Sequence, residues 1–188
     1  MEVIAEFHFP VHVITKSDLV LRDLDLLQQI GRVYAAVTFT VTAAADELSR
    51  KVEPGAPVTS RRLAAMKALA QNGVLTGVAL MPILPFIEDS EENVVRIVEQ
   101  AAASRAKYIL PAFGMTLRDR QRAYYYDRLD QGFPGLRVRY VKAFGDRYSA
   151  PARNAIRLEK CLQDACRLHG IAARMPFYLP QARQPGLF

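Results

Sequence analysis

VYAAVTFTVT (Val33–Thr42) and, after a charged connection, TSRRLAAMKALAQNG (Thr59–Gly73) and VLTGVALM (Val74–Met81) decide the fold of this chain. The first and last are short apolar runs rich in β-branched residues. The middle one has a helical pattern, capped by Thr59 or Ser60 and closed by Asn72-Gly73. A strand, a helix and a strand in that order pair in parallel through a crossover, with helices covering the sheet.

The same alternation extends both ways. Val11–Thr15 reads as a strand. Ser17–Leu27 is helical in period, with Leu21, Leu24 and Leu27 on one stripe, Asp18 in the first turn and Gly31 placed to end it. Downstream, Ser90 caps a helix to about Ser104, Lys107–Phe113 is a fourth strand, and Leu117–Leu129 is helical. Phe133-Pro134-Gly135 breaks that helix, and helices over 136–144 and 152–169 follow. Gly170 ends the last, and Ile171–Arg174 is a final short strand. No G-x-G-x-x-G or G-x-x-x-x-G-K follows any strand, so the usual nucleotide fingerprints of open parallel sheets are missing. The expectation is one α/β domain over residues 1–180, with a poorly ordered tail over 181–188.

At 188 residues, 51% apolar and 23% charged, the chain has globular composition. No stretch approaches the roughly 18 uninterrupted apolar residues of a membrane span. The N-terminus lacks the basic start of a secretory leader, and two cysteines are too few for a disulfide scaffold; a cytoplasmic protein is expected. The net charge of +6 is unevenly spread: Met115–Met175 holds thirteen Lys or Arg against six Asp or Glu, and the remainder twelve against thirteen. A polyanionic partner is therefore to be sought in the C-terminal third.

In parallel α/β folds the reacting groups gather at the C-terminal ends of strands. Here these ends read Thr15-Lys16-Ser17, Thr38–Thr42 and Met81-Pro-Ile-Leu-Pro-Phe86. Thr38, Thr40 and Thr42 share one face, which either lines a polar interior or finds local partners. The connection Asp46–Pro57 reads as a ligand loop or, more readily, as a solvated linker. The two prolines of the third stretch make a stiff apolar loop that packs over a site or another segment. His8 and His12 on one strand face would be about 13 Å apart, too far to share a metal. Cys161 and Cys166 fall about 140° apart on a helix and form neither a pair nor a site; Cys166 continues a core stripe with Leu158, Leu162 and Ala165. The basic third mixes Arg118, Arg120, Arg122 and Arg147 with Tyr125 and Tyr148. That composition suits nucleic acid and suits equally a solvated arginine face over a buried aromatic stripe.

Several segments, in order and over most of the chain, resemble radical SAM proteins of the spore photoproduct lyase group. They are TKSDLVLRDLDLL (15–27), FTVT (39–42), LSRKVEPGAP (48–57), RLAA (62–65), GVALMPILPF (77–86), FGMTLRDRQR (113–122), YYYD (124–127) and GDRYS (145–149). The resemblance implies a partial (β/α) barrel of parallel strands with C-terminal helices, holding a [4Fe–4S] cluster and S-adenosylmethionine at its open end. In that family a 5′-deoxyadenosyl radical abstracts hydrogen from the substrate. The cluster is held by a C-x-x-x-C-x-x-C loop after the first strand, and no such motif occurs in these residues. The resemblance thus implies a barrel lacking its first strands and its cluster-binding segment, inactive alone. Val11–Thr15 would then be an exposed sheet edge prone to self-association.

Carried over by position, Lys16 and Ser17 would face the methionine carboxylate of the cofactor, with Thr40 and Thr42 beside the same group. Glu53 and Arg62 would form a supporting ion pair, Met81 would touch the ribose or adenine, and Tyr108 to Phe113 would wall the adenine side. No catalytic residue or metal ligand is expected within the chain. A nucleic-acid substrate would meet Arg118, Arg120, Arg122, Tyr125, Arg147 and Tyr148. The alternative reading is a non-catalytic α/β module that binds nucleic acid or protein.

Overall fold

The computed structural model describes residues 1–180. Four strands, β1 (Val11–Thr15), β2 (Ala35–Thr40), β3 (Leu75–Leu80) and β4 (Tyr108–Pro111), form one parallel sheet in sequential order. Their registers pair Ile14 with Thr38, Thr38 with Gly77, and Gly77 with Tyr108. The fold is α/β, with parallel strands in sequential order joined by crossover helices, as the strand–helix–strand alternation dictates.

Helix α1 (Glu2–Glu6) precedes β1, and α2 (Leu24–Ile30) follows it. Helix α3 (Asp46–Val52) and helix α4 (Thr59–Gln71) connect β2 to β3, and α5 (Glu91–Ala103) connects β3 to β4. The core lies on the helix side of the sheet, where Val37, Phe39 and Val41 of the β2 segment meet Leu27, Met66 and Ile97. On the other face Thr38 and Thr40 are buried, yet His12 and Ile14 of β1 are open to solvent, Ile14 to 61%.

After β4 the chain turns into β5 (Gly114–Thr116), which pairs antiparallel with β6 (Ser149–Pro151). Between them lie α6 (Asp119–Gly132) and α7 (Leu136–Phe144), and α8 (Ala155–His169) then packs on α5. Tyr126, Leu129, Tyr140 and Phe144 make a second small core around Ala150.

The differences from the sequence reading have local causes. The connection 46–57 is not a loop throughout: Asp46–Val52 is helical, with Asp46 and Glu47 at its positive end and Arg50 and Lys51 at its negative end. The continuous helix expected from Ser17 is a 3-10 segment, Asp18–Asp23, followed by α2. The fourth strand stops at Pro111, which lacks an N–H for the ladder. Helix α6 runs on to Gly132, and the expected strand after Gly170 is a single bridge from Ala172 to Tyr108. The expected tail, 181–188, lies outside the described residues.

Candidate cofactor-binding site

Arg62 sits in the second turn of α4, 1% exposed, with its guanidinium aimed at the C-terminal end of β2. Nε donates to the Pro57 carbonyl at 2.6 Å and Nη1 to the Thr40 carbonyl at 2.8 Å. Nη2 lies 2.6 Å from Glu53 Oε2. The other Glu53 oxygen takes Lys16 Nζ at 2.7 Å. A buried guanidinium needs fixed acceptors and a counter-charge: two carbonyls take the Nε and Nη1 donors, and the Glu53 carboxylate faces Nη2 as an ion pair. The array therefore joins the end of β1, the end of β2, the exit of α3 and the start of α4. Lys16, 45% exposed, is its most solvent-open member, against 17% for Glu53 and 1% for Arg62.

Ser17 stands beside this array, but its hydroxyl accepts the Leu19 N–H and caps the 3-10 segment. Thr40 contributes its carbonyl to Arg62. The Thr42 hydroxyl donates to Glu88 Oε1 at 2.6 Å, and Glu88 Oε2 accepts the Leu84 N–H at 3.0 Å. Asn93 closes the corner: its amide donates to the carbonyls of Thr42 and Glu88, and its oxygen accepts the Ala44 N–H. Glu88 is 1% exposed, and burial pushes its carboxyl up to about 7 against the pull of the Thr42 and Leu84 hydrogen bonds. The sequence reading passed over Glu88, because acidic residues next to an N-cap serine look like ordinary helix-start charges.

Met81 and Phe113 come together, with Pro82, Ala112, Met115 and Ala150, around an open apolar cleft of about 550 Å³ between the end of β3 and the β5–β6 pair. Gly114, at φ +139°, is required there: a Cβ would lie 2.8 Å from the Ala150 carbonyl oxygen. Tyr108 does not join this wall. Its ring lies flat over Gly77, where a Cβ would sit 2.3 Å from it, and its hydroxyl meets Thr38 Oγ at 2.6 Å. Thr38 Oγ is also 2.6 Å from His12 Nε2. So Thr38 and Thr42 find local partners on the inner face and at its rim. Burial pushes the Tyr108 hydroxyl up to about 12, with the Thr38 hydrogen bond opposing it.

The basic third divides in two. Arg122 is folded inward, donating to the carbonyls of Leu117, Asp146 and Arg147 and pairing with Asp146. The Tyr125 hydroxyl donates to Tyr140, and Arg147 donates to the carbonyls of Phe144 and Ala143. Arg118, which donates to the Tyr148 hydroxyl at 3.2 Å, Arg120 and Tyr148 face solvent. Arg122 and Tyr125 are thus structural ties rather than free contact groups.

Cys161 is half-buried and Cys166 buried among Leu158, Leu162 and Ala165; burial raises both thiols. Among the described residues no group of three His, Cys, Asp or Glu side chains could hold a metal ion. No described helix is long and apolar enough to cross a membrane.

No family model matches the chain. It is 33% identical over 136 residues to uncharacterized proteins of Mycobacterium tuberculosis and Mycobacterium bovis, covering 72% of this chain and 40% of each relative. An uncharacterized protein of Methanocaldococcus jannaschii is 35% identical over 79 residues, 42% of this chain and 30% of that protein. Among solved structures, spore photoproduct lyase complexed with dinucleoside spore photoproduct superposes with a TM-score of 0.62 at 19% identity, over 88% of this chain and 50% of that one. A variant of the enzyme with bound AdoMet and the same dinucleoside gives 0.63 at 16% identity, again over 88% and 50%. The chain therefore shares its fold with about half of spore photoproduct lyase. The chain spans about half the length of these structures and 40% of its mycobacterial relatives.

Proposed function

We propose that this chain forms the S-adenosylmethionine-facing part of a radical SAM-type barrel. The observation that carries the reading is the Lys16–Glu53–Arg62 array, tied to the Thr40 carbonyl at the C-terminal edge of the sheet. The end of β1 and the apolar cleft at the end of β3 are two strand spacings apart, about 10 Å. A cofactor with a charged amino-acid end and a flat nucleoside end fits that span. Lys16 would hold the carboxylate and Glu53 the ammonium group, while Met81 and Phe113 would enclose the adenine. When bound beside a reduced iron–sulfur cluster, the cofactor supplies a radical that abstracts hydrogen from a substrate.

The cluster itself does not fit these residues. The two cysteines lie on one helix with thiols raised by burial, and no third thiol exists in the sequence. In this reading the cluster ligands are supplied by residues outside these 188, and the chain alone performs no radical step. A nucleic-acid substrate would meet Arg118, Arg120 and Tyr148. These exposed groups also favour the second reading, a non-catalytic nucleic-acid-binding module.

Calorimetric titration of the chain with S-adenosylmethionine tests the first reading. Binding weakened about fivefold by Lys16→Ala, from loss of one exposed ion pair, and weakened further by Phe113→Ala supports it. No binding, together with oligonucleotide binding that falls steeply with salt, moves the second reading to first place.

A further inference from the structure

A second cleft, of about 410 Å³, opens on the far side of the 51–54 segment, between it, the loop 84–87 and α6. It shares no lining residue with the Met81–Phe113 cleft. Its floor is apolar: Pro54, Leu84, Ile87 and the buried Leu129. Its rim carries two cations, each over an aromatic ring. Lys51 Nζ stands 4.4 Å from the Phe133 centroid and the Arg128 guanidinium 5.1 Å from that of Tyr124.

Among the described residues no carboxylate pairs with Lys51 or Arg128, whereas Arg122, Arg137 and Arg153 are all paired. Arg128 Nη1 donates to Gln131 Oε1 at 2.9 Å, which orients the guanidinium without neutralising it. The Lys51 stem passes over Gly132, whose Cβ, if present, would lie 4.0 Å from Lys51 Cε. The walls are fixed as well. The Tyr125 hydroxyl donates to Tyr140, whose hydroxyl donates to the Pro85 carbonyl at 2.7 Å, and the Leu84 N–H is held by Glu88.

We propose that this cleft binds a small planar aromatic anion, a flat ring carrying a phosphate or carboxylate. The ring would lie on the aliphatic floor beside Tyr124 and Phe133, and the anionic substituent would sit between Lys51 and Arg128. Two unneutralised cations over an apolar floor attract such a ligand more than a neutral ring or a bare anion, since each of those satisfies half of the surface. The site stands independently of the cofactor reading.

The test is calorimetric titration of the whole chain with 1-naphthyl phosphate, beside 1-naphthol and inorganic phosphate. The aryl phosphate should bind at least about tenfold more tightly than either half. Lys51→Glu and Arg128→Glu should each weaken it by about fivefold or more, with Lys51→Gln and Arg128→Gln giving smaller losses. Lys16→Ala should leave it unchanged. Equal binding of aryl phosphate and inorganic phosphate, or indifference to both charge changes, overturns the proposal. So does a loss caused by Phe113→Ala, which would place the ligand in the other cleft.

Discussion

Thr42 and Glu88 are 46 residues apart in sequence, and the hydroxyl of the first donates to the carboxyl of the second at 2.6 Å with both side chains buried. The contact fixes the loop after β3 to the end of β2, and it places a titratable group where water does not reach. Glu88 is therefore a carboxyl whose state depends on neutral pH rather than acid.

Its folded value, about 7, stands above the ordinary 4.5, so the folded chain holds this proton more tightly than the unfolded one. The stabilisation is complete below pH 4.5 and is lost as pH rises through 7. From the shift it is on the order of 3 kcal/mol. Glu88→Gln mimics the protonated form and should remove this contribution to the pH slope. Melting temperatures of both proteins from pH 4.5 to 8 should diverge, the variant becoming relatively more stable as pH rises. Parallel curves would mean that Glu88 is already ionised in the fold.

Arg62→Met should cost about 3 kcal/mol or more, since it leaves the carbonyls of Thr40 and Pro57 without their donor and Glu53 without its buried counter-charge. Arg61→Met, next to it but 64% exposed, should cost less than about 1 kcal/mol. Urea denaturation separates the two. Similar losses at both positions would show that the buried array contributes nothing special.

Gly77→Ala should destabilise by about 1–3 kcal/mol, because the new methyl meets the Tyr108 ring at 2.3 Å. In a Tyr108→Leu background the same change should cost less, giving a coupling energy of opposite sign in a double-mutant cycle. Additive losses would place the ring elsewhere.

Strand β1 has no charged residue or proline to discourage edge pairing, and Ile14 is 61% exposed beside its unpaired edge. Light scattering should show concentration-dependent association that Ile14→Lys suppresses. A monodisperse monomer that the substitution does not change would rule this edge out as a contact.

The four parallel strands and the crossover helices were legible because each carries its own period and its own caps: Ser90 does accept the Asn93 N–H, and Gly170 does end α8. The Glu53–Arg62 pair was also legible, through resemblance rather than spacing; that Lys16 joins it on the other Glu53 oxygen was not. What local pattern could not reveal depends on distant partners. Helix α3 was hidden by its charges and by Pro54-Gly55, and the β5–β6 pair by the 32 residues that separate Thr116 from Ser149. Tyr108 looked like a cleft wall because its strand leads there. Only the missing side chain of Gly77 shows that the ring turns back across the sheet.

Arg62 has a wider consequence. One side chain holds three separately folded stretches, the end of β2, the turn before α4 and the exit of α3, by contacts that water scarcely reaches. Those stretches can shift only as a block. Any adjustment to an arriving ligand therefore falls to the long, half-exposed arm of Lys16, which can swing away from Glu53 while the ground beneath it stays still.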